Sequence, residues 1–145
     1  MTIYIYYATL SGHNFELASW LADHFAAKTV LMAADEVTFP VSWPAGDWLI
    51  VCPATDGSGE IAAPGMKLYR QLVQTPLTDC FYWVVGIGDQ GFGTDFASAV
   101  TLFDHRLARQ GAKPLLAPLK LDYELTAANL TILNAQLAKL EEKNA

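Results

Sequence analysis

Apolar residues recur along this chain with two alternating periods. Ile3 to Tyr7 is a β-branched and aromatic run, broken at Leu10-Ser11-Gly12, after which Phe15, Leu17, Ala18, Leu21, Ala22 and Phe25 follow helical spacing. Thr29 to Met32 predicts a short second strand, and Trp48 to Cys52 a third that ends at Pro53. Met66, Leu68, Tyr69, Leu72 and Val73 predict a helix from about Pro64 to Val73. The continuous apolar run Cys80 to Ile87 reads as a fully buried, central strand. A helix carrying Phe96, Ala99, Val100, Phe103 and Leu107 ends near Gly111, Pro114 to Leu121 supplies a fifth strand, and Leu130, Leu133, Leu137 and Leu140 mark a last helix starting after Thr126.

Strands that alternate with helices predict an α/β fold: a five-stranded parallel sheet covered on both faces, because each parallel crossover needs a helix. Such open sheets bind ligands in the loops that leave the carboxyl ends of strands, where strand order reverses. Three loops therefore carry the candidate chemistry: Thr9 to Asn14, Ala54 to Glu60, and Gly88 to Thr94.

Composition narrows the class. A chain of 145 residues with 52% apolar content is sized for one domain, read here as residues 1–145. The longest unbroken apolar stretches are far short of the roughly twenty residues of a membrane span, and Met1-Thr2-Ile3-Tyr4 lacks the basic region of a signal peptide. Cys52 and Cys80 are expected at opposite ends of parallel strands, which argues against a disulfide and for a reducing, cytoplasmic compartment. The net charge is −6 and the basic residues are scattered, so nucleic acid and anionic membranes are poor partners, while a protein with a basic face would be steered toward the surface.

In the first loop, Thr9, Leu10, Ser11, Gly12, His13 and Asn14 place hydroxyls, an imidazole and an amide around a glycine at the positive end of a helix. That is a seat for a phosphate monoester. The alternative is that Ser11 only caps the helix and Asn14 only supports the turn. A nucleoside triphosphate loop would need a further glycine and a lysine, and a phospho-acceptor domain would need acids after strand one and an aspartate closing strand three, where Pro53 stands. Gly86-Ile87-Gly88-Asp89-Gln90-Gly91 spells a dinucleotide fingerprint but lies on the fourth strand, with Phe92 to Thr94 before the helix and no acid closing a second strand about 20 residues later. The second loop, Ala54, Thr55, Asp56, Gly57, Ser58 and Gly59, is glycine-rich without a basic residue, and the third offers Asp89 and Phe92. Both suit a flat, polar-edged ring.

Together these motifs resemble the flavodoxin family. Thr9-Leu10-Ser11-Gly12 is similar to the family's phosphate loop, Thr55-x-Gly57-x-Gly59-Glu60 to the second loop of short MioC-type proteins and diflavin-reductase FMN domains, and Gly86-x-Gly88-Asp89 to the third. The resemblance covers the whole chain. It implies a three-layer flavodoxin-like fold of strand order 2-1-3-4-5 and FMN as cofactor. It also implies a phosphate held by Thr9, Ser11, Gly12, His13 and Asn14, and an isoalloxazine along Thr55 to Gly59, with a carbonyl near Gly57 for the ring's N5. Asp89 would face the ribityl chain or pyrimidine edge, Phe92 would take the place of the stacking tyrosine, and Phe96 would complete the third loop. The chain departs from the pattern at His13-Asn14, at Asp56, where an aromatic or histidine is common, and in a third loop one residue longer.

The function implied is an electron carrier between a flavoprotein reductase and a redox acceptor, expected as a monomer docking through an acidic rim of Asp56, Glu60, Asp89 and Asp95. No nucleophile, acid-base pair or metal ligand is assigned. Two other functions are compatible with the sequence: a flavodoxin-like interaction module with weakened or lost flavin binding, and a small FMN-dependent quinone reductase.

Overall fold

The computed structural model describes residues 1–26, 28–39 and 43–143. Strands β1 (Ile3–Tyr7), β2 (Thr29–Ala33), β3 (Trp48–Cys52) and β4 (Phe81–Gly88) run parallel, with β1 between β2 and β3, and β4 beyond β3. Their register aligns Ile5 with Leu31 and Ile50, and Ile50 with Trp83. The sheet order is β2-β1-β3-β4-β5, the order that the resemblance to flavodoxins implies.

Alternation along the strands divides the core in two. Ile3, Ile5, Ile50, Cys52, Trp83 and Val85 face Leu17 and Leu21 of α1 (His13–Phe25) and Leu133, Leu137 and Leu140 of α4 (Ala127–Lys143). Tyr6, Leu49, Val51, Tyr82 and Val84 face Leu68 and Leu72 of α2 (Met66–Val73) and Val100, Phe103 and Leu107 of α3 (Ser98–Arg109). The two cysteines are buried and free, Cys52 in the first core and Cys80 in the second, so the sheet separates them. Burial pushes both thiols above their ordinary pKa and leaves them poor nucleophiles.

The expected fifth strand, Pro114 to Leu121, is two strands. β5 (Lys113–Pro114) pairs the start of β4, and β6 (Leu119–Asp122) pairs its end, Val85 to Gly88. Pro114 and Pro118 have no N–H to give a ladder, so the chain leaves the sheet between them. The Trp83 indole fills the break by donating to the Ala117 carbonyl at 2.9 Å.

The β2–β3 connection also differs from a simple βαβ crossover. β2 leads into a 3-10 turn, Ala34–Glu36, and among the described residues no α-helix follows before β3. Its place is taken by an aromatic cluster: Trp43 meets Tyr4 edge-on at 4.7 Å and Phe39 at 5.1 Å. Gln71 clamps the segment, donating to the Val37 carbonyl and accepting from the Phe39 amide.

Candidate functional site

All three loops chosen from the sequence open at the carboxyl edge of the sheet, and they enclose one cavity of about 290 Å³. Thr9, Leu10, Ser11, His13 and Asn14 line it from the first loop, Ala54, Thr55 and Asp56 from the second, and Gly88, Asp89 and Phe92 from the third. Gly12, Gly57, Ser58 and Gly59 shape those loops without lining the cavity. Phe96 is the exception. It lies half-buried against the core beneath α3, so the third loop turns it inward instead of toward the cavity.

The first loop is a tight turn. Gly12 adopts φ 91°, the left-handed region that favours glycine, and the Thr9 hydroxyl oxygen accepts from the Gly12 amide at 2.7 Å. Gly12 is the residue before α1, and no side chain caps that helix. Ser11 therefore does not serve as its N-cap, and the first-turn amides of α1 stay available to an anion. The Asn14 side chain, in contrast, is already committed. Its Nδ2 donates to the Ile87 carbonyl at 3.2 Å while its Oδ1 accepts from the Ile87 amide at 2.8 Å. Asn14 braces the loop to the end of β4.

The second loop closes on itself around an acid. Asp56 Oδ1 accepts from the Ser58 hydroxyl at 2.7 Å and from the Ser58 and Glu60 amides. These bonds, the hydroxyl first, hold its carboxyl below the usual carboxylate range. Thr55 reaches the other way, accepting from the Ala99 amide and so tying the loop to the start of α3. The carbonyls of Asp56, Gly59 and Glu60 are all taken within the protein, whereas that of Gly57 accepts nothing among the described residues. Asp95 stands over Gly59, where a Cβ would meet its carboxylate at 2.5 Å.

The third loop, Gln90–Asp95, is two short 3-10 turns kinked at Gly93 (φ 61°), the first capped by Asp89, whose Oδ1 accepts from the Gly91 amide at 2.8 Å. Phe92 sits between Gly91 and Gly93 with its ring 52% exposed. It approaches to 3.7 Å of where a Gly57 side chain would begin. Gly86 and Gly88 answer to packing: a Cβ on the first would strike Val100 and Pro53, and one on the second the backbone of Ala97. The dinucleotide-like spelling is thus a consequence of α3 lying close on β4.

Four lining residues come from outside the expected set or beside it. Ile87, Ala97 and Asp95 flank the third loop, and Tyr123 arrives from the β6–α4 connection. Tyr123 has φ 71°, a left-handed conformation that costs a residue with a side chain roughly 1 kcal/mol. Its turn is held at both ends. The Tyr123 amide donates to the Gly88 carbonyl at 2.7 Å, and Asn129 Nδ2 donates to the carbonyls of Asp122 and Glu124. Nothing local in the sequence marks Tyr123, because its approach to the cavity depends on β6 pairing with the end of β4.

Comparison with known proteins agrees with this geometry. The flavodoxin family model matches residues 5–132, and the chain belongs to the flavodoxin family. Among solved structures, a short-chain flavodoxin associated with a PDU bacterial microcompartment is 27% identical over the full length of both chains, with a TM-score of 0.86. The Streptococcus pneumonia TIGR4 flavodoxin is 25% identical over 99% of each chain, with a TM-score of 0.84. Oxidised flavodoxin 1 of Bacillus cereus shares the fold at 18% identity, covering 98% of each chain with a TM-score of 0.85. No curated protein matches the chain significantly.

FMN is the cofactor of this family, and the residues present fit it. The His13 Nδ1 is buried without a hydrogen-bond partner, on a residue that lines the cavity at the start of α1. A polar atom lost from water in this way is stabilised when a partner arrives with a ligand. At the other end, the unclaimed Gly57 carbonyl and the adjacent Phe92 ring offer an acceptor and an apolar face to a heteroaromatic system.

Proposed function

We propose that this protein carries single electrons on FMN between a flavoprotein reductase and a redox acceptor protein. The observation that carries the reading is the cavity at the switch point of a flavodoxin fold, with the buried His13 Nδ1 at the start of α1 and the Gly57 carbonyl both without a partner among the described residues. In this reading Thr9, Ser11, Gly12 and His13 hold the phosphate, while Asn14 positions that loop. Thr55 to Gly59 and Phe92 hold the ring, and Asp89 orders the third loop. When bound, the flavin supplies the redox chemistry. The chain supplies position, exclusion of water and a field.

That field is negative. Asp56, Asp89 and Asp95 line the cavity, and among the described residues no lysine or arginine does. Glu60 follows β3, and Asp122 and Glu124 close and follow β6, on the same edge of the sheet. Such a rim favours a partner with a basic face, and docking slows as salt rises. Two buried, unpaired thiols support a reducing, cytoplasmic setting. Among the described residues no helix is long and apolar enough to cross a membrane.

The test is the visible spectrum of the freshly purified protein, titration of the apoprotein with FMN, and stopped-flow reduction by a flavoprotein reductase at increasing ionic strength. A flavin spectrum and a salt-sensitive rate are expected. A colourless protein with no FMN affinity points instead to an interaction module. Direct reduction by a nicotinamide nucleotide with turnover of a quinone points to a reductase.

A further inference from the structure

The loop between β6 and α4 has no part in the family-like motifs, yet it contributes an aromatic residue, Tyr123, to the lining of the cavity. The ring of Tyr123 lies 5.5 Å from that of His13, tilted by 40°. His13 is the first residue of α1, so Tyr123 stands beside the end of the cavity where an anion meets the helix amides.

Packing does not account for this placement. Tyr123 holds a left-handed backbone conformation that a glycine would adopt without strain, and its side chain remains 58% exposed. Its turn is nonetheless fixed from three sides: by the Gly88 carbonyl, by Asn129, and by Asp122, whose Oδ1 accepts from the Gln90 amide at 2.9 Å. A strained residue in a turn so firmly held, presenting an exposed ring to a cavity, is positioned for what enters that cavity.

The side-chain donors near the start of α1 are few. The Thr9 hydroxyl accepts from the Gly12 amide and keeps its own proton to donate, while the Asn14 amide is spent on Ile87. Ser11 and His13 stand beside Thr9, and no lysine or arginine lines the cavity among the described residues. Tyr123 lines the cavity next to His13 and carries a further hydroxyl.

We infer that Tyr123 is a specificity-determining residue that, together with His13, recognises the phosphorylated end of the flavin and separates FMN from riboflavin. The inference rests on the FMN reading above. A phenol donating to a phosphate oxygen strengthens binding of the ester and does nothing for the unphosphorylated vitamin, because the bond exists only with the charged acceptor. The His13 ring, against which the phenol leans, fixes its direction.

The experiment is titration of apoprotein with FMN and with riboflavin, followed by flavin fluorescence, for wild type, Tyr123→Phe, Tyr123→Gly and His13→Ala. Tyr123→Phe keeps the ring and should weaken FMN about 5- to 10-fold while leaving riboflavin within about 2-fold. His13→Ala should lower the same ratio. Tyr123→Gly should lose FMN preference as well, yet raise the thermal midpoint of the apoprotein, since the backbone strain is relieved. Wild type binding neither flavin would overturn the FMN reading and this inference with it. Wild type binding FMN while both Tyr123 variants keep the wild-type FMN-to-riboflavin ratio would overturn the inference alone, and would leave Tyr123 a surface aromatic.

Discussion

Asn14 and Ile87 exchange two hydrogen bonds across 73 residues of sequence, Nδ2 to carbonyl at 3.2 Å and amide to Oδ1 at 2.8 Å. One side chain thereby imitates a paired strand and locks the start of α1 to the end of β4. Replacing it should be costly. Asn14→Ala leaves the buried Ile87 amide without an acceptor and should lower unfolding free energy by about 2 kcal/mol. Asn14→Asp keeps the acceptor but sets a negative charge beside the anion seat, so it should weaken FMN more than Asn14→Ala does. Denaturant unfolding and FMN titration measure the two effects, and an Asn14→Ala protein as stable as wild type would remove the brace from this account.

Gly88 supports the site through contact, not through flexibility. An added Cβ would lie 2.7 to 2.9 Å from the amide, Cα and Cβ of Ala97, where α3 begins. Gly88→Ala should therefore destabilise the protein by roughly 1–3 kcal/mol and shift α3 away from the cavity. Gly93→Ala makes a useful contrast. Its Cβ would meet nothing within 4 Å, so only the φ of 61° opposes it, and the loss should be smaller.

Asp56 predicts an acid sensitivity confined to the second loop. Its carboxyl is held below the usual range, by the Ser58 hydroxyl first and then by two backbone amides. A lowered folded-state value means that the stabilisation is present above the ordinary carboxylate pKa of about 4, and is lost as pH falls through the lowered value. FMN affinity should thus hold from neutrality to about pH 4 and fall below it. Asp56→Asn should bind FMN less well at neutral pH, and should lack that further loss. A variant and wild type with parallel acid profiles would assign the loss to other groups.

Asp95 tests the negative field. Its carboxylate lines the cavity beside Gly59, and a charge there opposes the arrival of a second electron. Removing one partly solvated charge at this range is worth roughly 0.5 kcal/mol, or about 20 mV for one electron. Asp95→Asn should raise the potential of the second step by about that much, with a smaller effect at high salt. Potentiometry of the FMN-loaded protein reads both, and an unchanged or lowered potential in the variant counts against the electrostatic account.

Much of the fold was legible because its signals are local. Short β-branched and aromatic runs such as Ile3 to Tyr7, helical spacing such as Leu17, Ala18 and Leu21, and glycines after strands each act within a few residues. They were enough to place three loops at one edge of the sheet. The fifth strand was less legible: its two halves are separately short, and their continuity depends on which part of β4 each one finds.

What the sequence by itself determined was the order of elements, the α/β class and the three loops that open at one edge of the sheet, since hydrophobic period and loop composition are properties of short stretches. The tertiary structure alone decided what each side chain is free to do there. It committed Asn14 to Ile87, turned Asp56 back on its own loop, sent Phe96 inward and brought Tyr123 beside His13 from 110 residues away. A donor's availability depends on which partners lie within about 3 Å, and those partners are chosen by packing between distant segments, which no local pattern encodes.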